Sequence, residues 1–263
     1  MKKIWDWILR ILGIRKDGKP PAWDKATLSS NWNGSNAQER MMNILSPLMT
    51  EARFNQRVAF MKGRGVNAAH VFVANKADGE CAGYSPFGKN FKSYKVDKAF
   101  ADVMTRRLKA LRKNGWAVVL WMMADDSNEW AKDVASSAAK ADAYVKAVKD
   151  LGWFDMASTV VVGLEMDEYW NANQAALMAA TVRKHYKGRI GTHHCSANAP
   201  FAKLGDILFY QVDPGRSEAQ IKADTRKALS YGKPVNFFEL QRNPNRKLCQ
   251  AAMSAGAFAV GNW

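Results

Sequence analysis

The stretch GWAVVLWMM, residues 115–123, has a glycine followed by a short, unbroken apolar run. Such a run predicts a buried β-strand, and a glycine before it is typical of the end of a helix. The pattern recurs along the chain, and five further runs also follow a glycine. Eight runs are predicted as strands: 27–32, 68–73, 117–122, 159–164, 189–192, 207–210, 234–238 and 257–260.

Longer amphipathic or alanine-rich segments lie between the runs and predict helices, most with Asp, Asn or Ser near their starts as caps. The predicted helices are 97–114, 133–152, 171–186, 217–230 and 243–255, and 196–203 is short and weakly helical. Alternation of strands and helices indicates a parallel α/β sheet. The motif NWNGSN, residues 31–36, is not the glycine-rich phosphate loop of a doubly wound sheet. Eight strands in 263 residues therefore predict a single (β/α)8 TIM barrel over residues 21–263.

Residues 1–20 are predicted as an extra N-terminal amphipathic helix and linker. The segment MKKIWDWILRILGIRK, residues 1–16, repeats apolar residues at helical spacing, while Asp6 and Arg10 interrupt it. No small-residue cleavage site follows, and the segment is too short to span a bilayer, so neither a cleavable signal peptide nor a transmembrane helix is evident. The helix could pack on the barrel, lie on a membrane surface or dock a protein partner. The localisation stays undetermined.

The chain carries 39 Lys and Arg against 24 Asp and Glu, a net charge of +15. Such a field favours polyanions, including acidic polysaccharide, although dispersed basic residues also suit the solvated faces of many helices. No nucleic-acid motif is present, and a nucleic-acid partner is not expected. The three cysteines are far apart without metal-ligand spacing, so they predict buried apolar residues and neither disulfides nor a metal site. No cofactor is expected.

Polar and aromatic residues follow most of the predicted strands. In a barrel the active site lies at the carboxyl ends of the strands, so these residues are candidates for a site. Aromatic faces beside hydrogen-bonding groups suit sugar rings. The candidates include Trp32, Asn75, Trp121, Asp125, Glu165, Asp167, Glu168, His193, His194, Tyr210, Asp213, Glu239 and Trp263.

Two motifs carry a family resemblance: VVVGLEMDEYW, residues 160–170, at the end of strand four, and PVNFFELQR, residues 234–242, at the end of strand seven. With the order of the strands, they resemble the glycosidase clan that includes family-5-type cellulases and mannanases. The resemblance implies that Glu165 is the general acid/base and Glu239 the nucleophile of a retaining hydrolase. It also implies sugar contacts by Tyr210, Trp263 and a strand-five histidine, His193 or His194. Trp32 and Trp121 are further candidates for stacking on sugars.

One position departs from the clan, which usually has asparagine before the acid/base where this sequence has Leu164. If strand four continued, Asp167 would share the face of Glu165, and either carboxyl could be the acid. His193 and His194 are adjacent, so on a strand they face opposite ways and cannot both bind one metal.

Two hypotheses follow from these observations. The first is a retaining glycoside hydrolase that cleaves a polysaccharide or cell-envelope glycan, a function natural for a bacterium or bacteriophage. The second is a non-catalytic glycan-binding or structural barrel, attached to a partner or particle through its N-terminal helix. The substitution at Leu164 favours the second, and the acids and aromatics at the strand ends favour the first.

Overall fold

The computed structural model describes residues 27–28, 43–63, 68–77, 79–89, 91–124, 128–211, 215–239 and 246–260. The predicted N-terminal helix lies outside the described residues. In the described part, all strands belong to one parallel sheet. The strands are β1 (Thr27–Leu28), β2 (Ala68–Phe72), β3 (Ala117–Trp121), β4 (Thr159–Val161), β5 (Arg189–His194), β6 (Ile207–Gln211), β7 (Val235–Glu239) and β8 (Ala259–Val260).

The order of the sheet is β1-β8-β7-β6-β5-β4-β3-β2. From β2 to β8, strands that follow one another in the chain also lie side by side. The first strand, β1, pairs with the last strand, β8. The predicted parallel α/β arrangement is confirmed, and each strand overlaps its predicted run. The continuous apolar runs form these strands because both faces of the sheet are covered.

Helices connect the strands. They are α1 (Glu51–Gly63), α2 (Lys98–Lys113), α3 (Asn128–Val134), α4 (Ala138–Asp150), α5 (Met166–Tyr169), α6 (Ala172–His185), α7 (Glu218–Leu229) and α8 (Arg246–Ser254), with 3-10 turns at Phe154–Met156 and Ala202–Leu204. None of the helices in the described part is both long and apolar enough to cross a membrane. The predicted caps Asp97, Asn171 and Ser217 each accept a hydrogen bond from a backbone N–H in the first helical turn.

Some helices differ from the prediction. The predicted helix 133–152 is divided: α3 ends at Val134, and α4 begins after Ser137, whose hydroxyl caps it by accepting from Lys140 N. The sequence did not predict α1. Its buried residues are only Phe54 and Met61, so the apolar periodicity that reveals a helix is weak there.

The sheet separates an outer core from an inner one, as β6 shows. Leu208 and Tyr210 pack toward the helices, whereas Ile207 and Phe209 pack on the inner face against residues of the other strands. The inner core also contains Phe72, Val119, Trp121, Val161 and Leu164. Burial of each such side chain stabilises the fold by roughly 1.5–3 kcal/mol, so this face of the sheet is packed as a core in the described part of the chain.

Arg107 fixes the segment before α1 to α2. The side chain is 1% exposed. Its guanidinium donates to the carbonyls of Ser46 and Met49 and pairs with Glu51 Oε1 at 2.7 Å. These bonds compensate the desolvation of the charge, because each buried carbonyl gains a charged donor.

Gly191, in the middle of β5, permits the close packing of the inner core. A Cβ atom there would lie 2.5 Å from Phe209 Cε2 and 3.1 Å from Val161 Cγ2. We expect Gly191→Ala to lower the free energy of unfolding by about 1–3 kcal/mol, because the methyl group overpacks the inner face. Urea denaturation monitored by tryptophan fluorescence measures the change.

Gly63→Ala is the matched control. Gly63 ends α1, and a Cβ atom there would meet nothing within 4 Å. The variant should be neutral or more stable by up to about 1 kcal/mol, since alanine favours the helix. Equal destabilisation by both substitutions would contradict the packing argument.

Candidate active site

The candidate acids follow β4, which ends at Val161, three residues earlier than predicted. The chain then turns through Gly163 into the short helix α5. A Cβ atom on Gly163 would lie 2.6 Å from the hydroxyl of Tyr169, so only glycine lets the turn close this tightly. Leu164, which follows, is 2% exposed and packs in the inner core.

Glu165 has an unusual backbone conformation, with φ of 48° and ψ of 41°. This left-handed conformation costs a residue other than glycine roughly 1–2 kcal/mol. A hydrogen bond of 2.8 Å from Glu165 N to His193 Nδ1 compensates part of this cost and joins the ends of β4 and β5. Strain held by its surroundings in this way is characteristic of functional sites.

Asp167 and Glu168 lie in the helical turn of α5, so strand four does not continue to Asp167 and strand alternation does not relate its side chain to that of Glu165. Cys195, which directly follows β5, contacts both acids. Its N–H donates to Asp167 Oδ1 at 3.1 Å and Oδ2 at 3.3 Å, and its thiol donates to Glu168 Oε1 at 3.2 Å. Burial raises the pKa of Asp167 despite the bond from Cys195 N. A raised pKa suits a carboxyl that must hold a proton.

Cys195 itself differs from the prediction of a buried apolar cysteine, because it is half-buried beside carboxylates. Burial, and then the charges of Glu165 and Asp167, raise the pKa of its thiol. The thiol therefore stays protonated and can donate to Glu168. Its position directly after the strand-five histidines was the signal in the sequence, since the end of a barrel strand is where such sites lie.

Three potential metal-ligating groups also meet here. One ligand atom each from Glu165, Glu168 and Cys195 lies within 4.8 Å of the others. A thiol with two carboxylates could hold a divalent cation. His193 does not belong to this set, and it directs Nδ1 to the backbone of Glu165.

A polar chain runs from the site into the inner core. Trp121 Nε1 donates to His70 Nδ1 at 3.1 Å, and the Trp121 ring packs edge-on against His193 with centroids 5.3 Å apart. In both histidines Nδ1 accepts a hydrogen bond, so each neutral ring carries its proton on Nε2. Burial lowers the pKa of His70 to about 3, and burial, with the nearby His194 and His70, holds the pKa of His193 well below its usual value.

The predicted sugar contacts Trp121, His194 and Tyr210 are each 0% exposed. Trp121 is part of the inner core, and Tyr210 faces the helices, where its hydroxyl donates to Thr225 Oγ1 at 3.3 Å. His194 also faces outward, as strand alternation predicts, and its Nε2 accepts from Phe201 N. His193 is equally buried, and of these four residues Tyr210 lines the pocket described below.

Glu239 is the last residue of β7, and its backbone pairs in register with Gln211 of β6. The preceding pair is Tyr210 with Phe237, so β7 contains one more residue than β6 at this point, as in a β-bulge. Bulges are frequent next to active sites. Trp32, Asp125, Asp213 and Trp263 lie outside the described residues, and their roles stay predictions.

A small polar pocket adjoins the acids between β5, β6 and α7, with a volume of about 100 Å³. Its basic residues, Arg216 and Lys227, were not singled out in the sequence because they lie before and within helix α7 and do not directly follow a strand. The lining residues are Cys195, Ser196, Ala197, Asn198, Tyr210, Gln211, Arg216, Asp224 and Lys227.

The buried histidines predict a pH dependence of stability. Burial also lowers the pKa of His194, to about 4. The unfolded chain binds protons at these histidines below about pH 6.5, whereas the folded chain does not, so stability present above that pH is lost on acidification. We expect the free energy of unfolding to fall between about pH 6.5 and pH 4, by up to about 1.4 kcal/mol per pH unit for each histidine.

His193→Asn and His194→Gln remove one titrating group each, while their carbonyl oxygens can replace the accepting ring nitrogens. Each variant should reduce the slope of the unfolding free energy against pH by the amount that corresponds to about one fewer proton bound on unfolding. Urea denaturation across this pH range measures the slope. A slope identical to that of the unmodified chain would refute the assignment of buried neutral histidines.

Comparison with solved structures supports the fold. A family-5 glycoside hydrolase from Bacteroides vulgatus superposes with a TM-score of 0.61 at 14% identity, covering 95% of this chain and 61% of that one. An endo-1,4-beta-mannanase from Eisenia fetida gives 0.60 at 12% identity, covering 95% and 88%. A second Bacteroides vulgatus structure, assigned as a glycoside hydrolase, gives 0.59 at 13% identity and covers 92% and 50%.

This chain therefore spans only half of the second Bacteroides vulgatus protein. No family model and no curated protein sequence matches the present chain. At identities this low the likeness establishes a shared fold, and activity has to be argued from the residues of this chain.

Proposed function

We propose that this protein is a glycoside hydrolase that cleaves a polysaccharide or cell-envelope glycan by a retaining mechanism with two carboxylates. Residues 21–263 form its single catalytic domain, a closed barrel in which β1 also approaches β2. The observation that carries the proposal is the strained Glu165, held at the end of β4 by His193. Proteins keep such strain where a side chain must be presented in one orientation.

In the proposed reaction Glu165 protonates the glycosidic oxygen as the bond to the leaving sugar breaks. Glu239 attacks the anomeric carbon and forms a covalent glycosyl-enzyme. Glu165 then takes a proton from water, which displaces Glu239 and restores both carboxyl groups. This chemistry requires the two carboxyl groups to lie about 5–5.5 Å apart.

Asp167 is the second candidate for the acid. Its raised pKa favours the protonated form that an acid requires. Against it, both of its oxygens accept from Cys195 N, which directs the carboxylate toward β5. Glu165 is the first choice, because its backbone is held by His193 in the left-handed conformation after β4.

His193 serves in this proposal as a positioning residue, because its ring is buried and contacts the backbone of Glu165. Trp32 and Trp263 are the proposed sugar-stacking residues. Residues 1–16 would hold the enzyme at a membrane surface or on a protein partner near its substrate.

We expect Glu239→Gln to reduce the rate of hydrolysis, on a glycan that the unsubstituted enzyme cleaves, on the order of 10⁴-fold or more, because the amide cannot form the glycosyl-enzyme. The thermal midpoint should be nearly unchanged. A screen of glycans by reducing-end release, with melting curves in parallel, measures both. Glu218→Gln, at the exposed start of α7, is the control and should keep full activity. A cooperative loss of folding in Glu239→Gln would make Glu239 structural.

The acid is identified by comparing Glu165→Gln with Asp167→Asn. Loss of the acid should lower kcat/KM by about 10²–10⁴-fold on substrates with a poor leaving group. The loss should be much smaller on an aryl glycoside with a good leaving group, which departs without protonation. The acid is the residue whose substitution produces this dependence on the leaving group. If neither variant shows the dependence, neither carboxyl is the acid.

A second function is favoured by Leu164. In the clan that this chain resembles, a polar residue usually precedes the acid, whereas Leu164 packs in the inner core and cannot hold a sugar hydroxyl. A non-catalytic glycan-binding barrel would retain the acids as hydrogen-bond acceptors. Glycan binding without turnover, unchanged in Glu239→Gln, would support this function over hydrolysis.

A further inference from the structure

We propose that the pocket between β5, β6 and α7 binds an anionic substituent of the glycan, a carboxylate or a phosphate. This inference rests on the proposed function in that it names the substrate class of the same site. The pocket lies on the carboxyl side of the strands, where the candidate acids also lie.

Cys195 connects the pocket to the acids. It lines the pocket, while its N–H binds Asp167 and its thiol binds Glu168. Cys195 therefore belongs both to the lining of the pocket and to the acid cluster. A sugar ring placed against the acids can direct a substituent past Cys195 into the pocket.

The charges of the lining favour an anion. Arg216 Nε lies 3.8 Å from Asp224 Oδ2, a distance that pairs the charges without a hydrogen bond, so the guanidinium keeps donors for a ligand. Within the described part of the chain, no carboxylate lies within ion-pairing distance of Lys227. Two cations against one carboxylate give these lining residues a net charge of +1. Gln211 and Asn198 add neutral donors.

The size of the pocket selects a substituent over a whole sugar. Its volume of about 100 Å³ is far below the roughly 300–1,000 Å³ typical of sites that enclose a drug-sized ligand. At about 30 Å³ per water molecule, it holds a few waters or one carboxylate or phosphate group. The ring itself must lie outside, against the acids.

The experiment is calorimetric titration of the full chain at low ionic strength with a matched pair of tetrasaccharides. One is β-1,4-linked glucuronate, and the other is its carboxyl-reduced neutral counterpart, a β-1,4-linked glucose tetrasaccharide. Inorganic phosphate is a separate probe that distinguishes the two anions. We expect the uronate tetrasaccharide or inorganic phosphate to bind, and the anion that binds to do so at least about tenfold (~1.4 kcal/mol) more tightly than the neutral sugar.

Variants test whether the pocket is responsible. Lys227→Met should weaken binding of the anion about fivefold, whereas Lys222→Met, which removes the same charge from α7 outside the pocket lining, should leave it nearly unchanged. Asp224→Asn should tighten it, because the amide no longer repels the ligand or pairs with Arg216. Melting curves verify that all three variants are folded.

Equal weakening by Lys227→Met and Lys222→Met would overturn the proposal in favour of attraction by the general positive charge. Equal affinity for both tetrasaccharides with no binding of phosphate would also overturn it. Because binding and hydrolysis are measured separately, failure of hydrolysis is a separate result: anion binding that depends on Lys227 in a chain that hydrolyses nothing supports the pocket and rejects the glycosidase.

Discussion

The hydrogen bond from Glu165 N to His193 Nδ1 constrains most of the candidate site. It requires His193 to be neutral with its proton on Nε2, since a protonated ring has no acceptor at Nδ1. Burial among Trp121 and the other inner residues enforces that state by lowering the pKa of the ring. The left-handed turn at Glu165, and with it the direction of the following α5 carboxylates, depends on this acceptor.

Packing on the inner face of the sheet therefore both fills the core and determines the state of the histidines. Trp121 and Phe209 fill it by packing edge-on with ring centroids 5.3 Å apart, and Gly191 leaves the room that the Phe209 ring needs. The same packing excludes water from the histidines and gives them fixed tautomers. A rigid, dry support of this kind holds a carboxyl group in a defined place at low reorganisation cost, which is what electrostatic catalysis requires.

Charge is distributed unevenly around the site. The carboxylates of α5 accept hydrogen bonds from Cys195, and Arg216 and Lys227 line the pocket to which Cys195 also belongs. In the proposed function the acids act on the scissile bond, and the basic residues hold a charged substituent away from them. The net charge of +15 adds long-range attraction for an acidic polymer but cannot supply selectivity, because it acts on any polyanion.

Much of the fold was predictable from the sequence, because apolar runs and capping residues act locally. The runs at 117–122 and 207–210 are short apolar segments that form strands. The caps Asp97 and Ser217 each accept a hydrogen bond from a backbone N–H three residues later. Errors arose where a distant contact overrides the local pattern. The run at 159–164 reads as one strand, but β4 ends at Val161, since Leu164 turns inward and Glu165 bonds to β5.

The sequence by itself determined the alternation of strands and helices, the placement of acids after strands four and seven, and the opposite orientation of His193 and His194. Tertiary structure alone decided that Trp121 and Tyr210 are buried, that Cys195 lies among carboxylates, and that Arg216 and Lys227 share a pocket with it. The physical reason is range: periodicity and capping depend on neighbours along the chain, whereas burial, pKa and shared pockets depend on residues that only the packed sheet brings together.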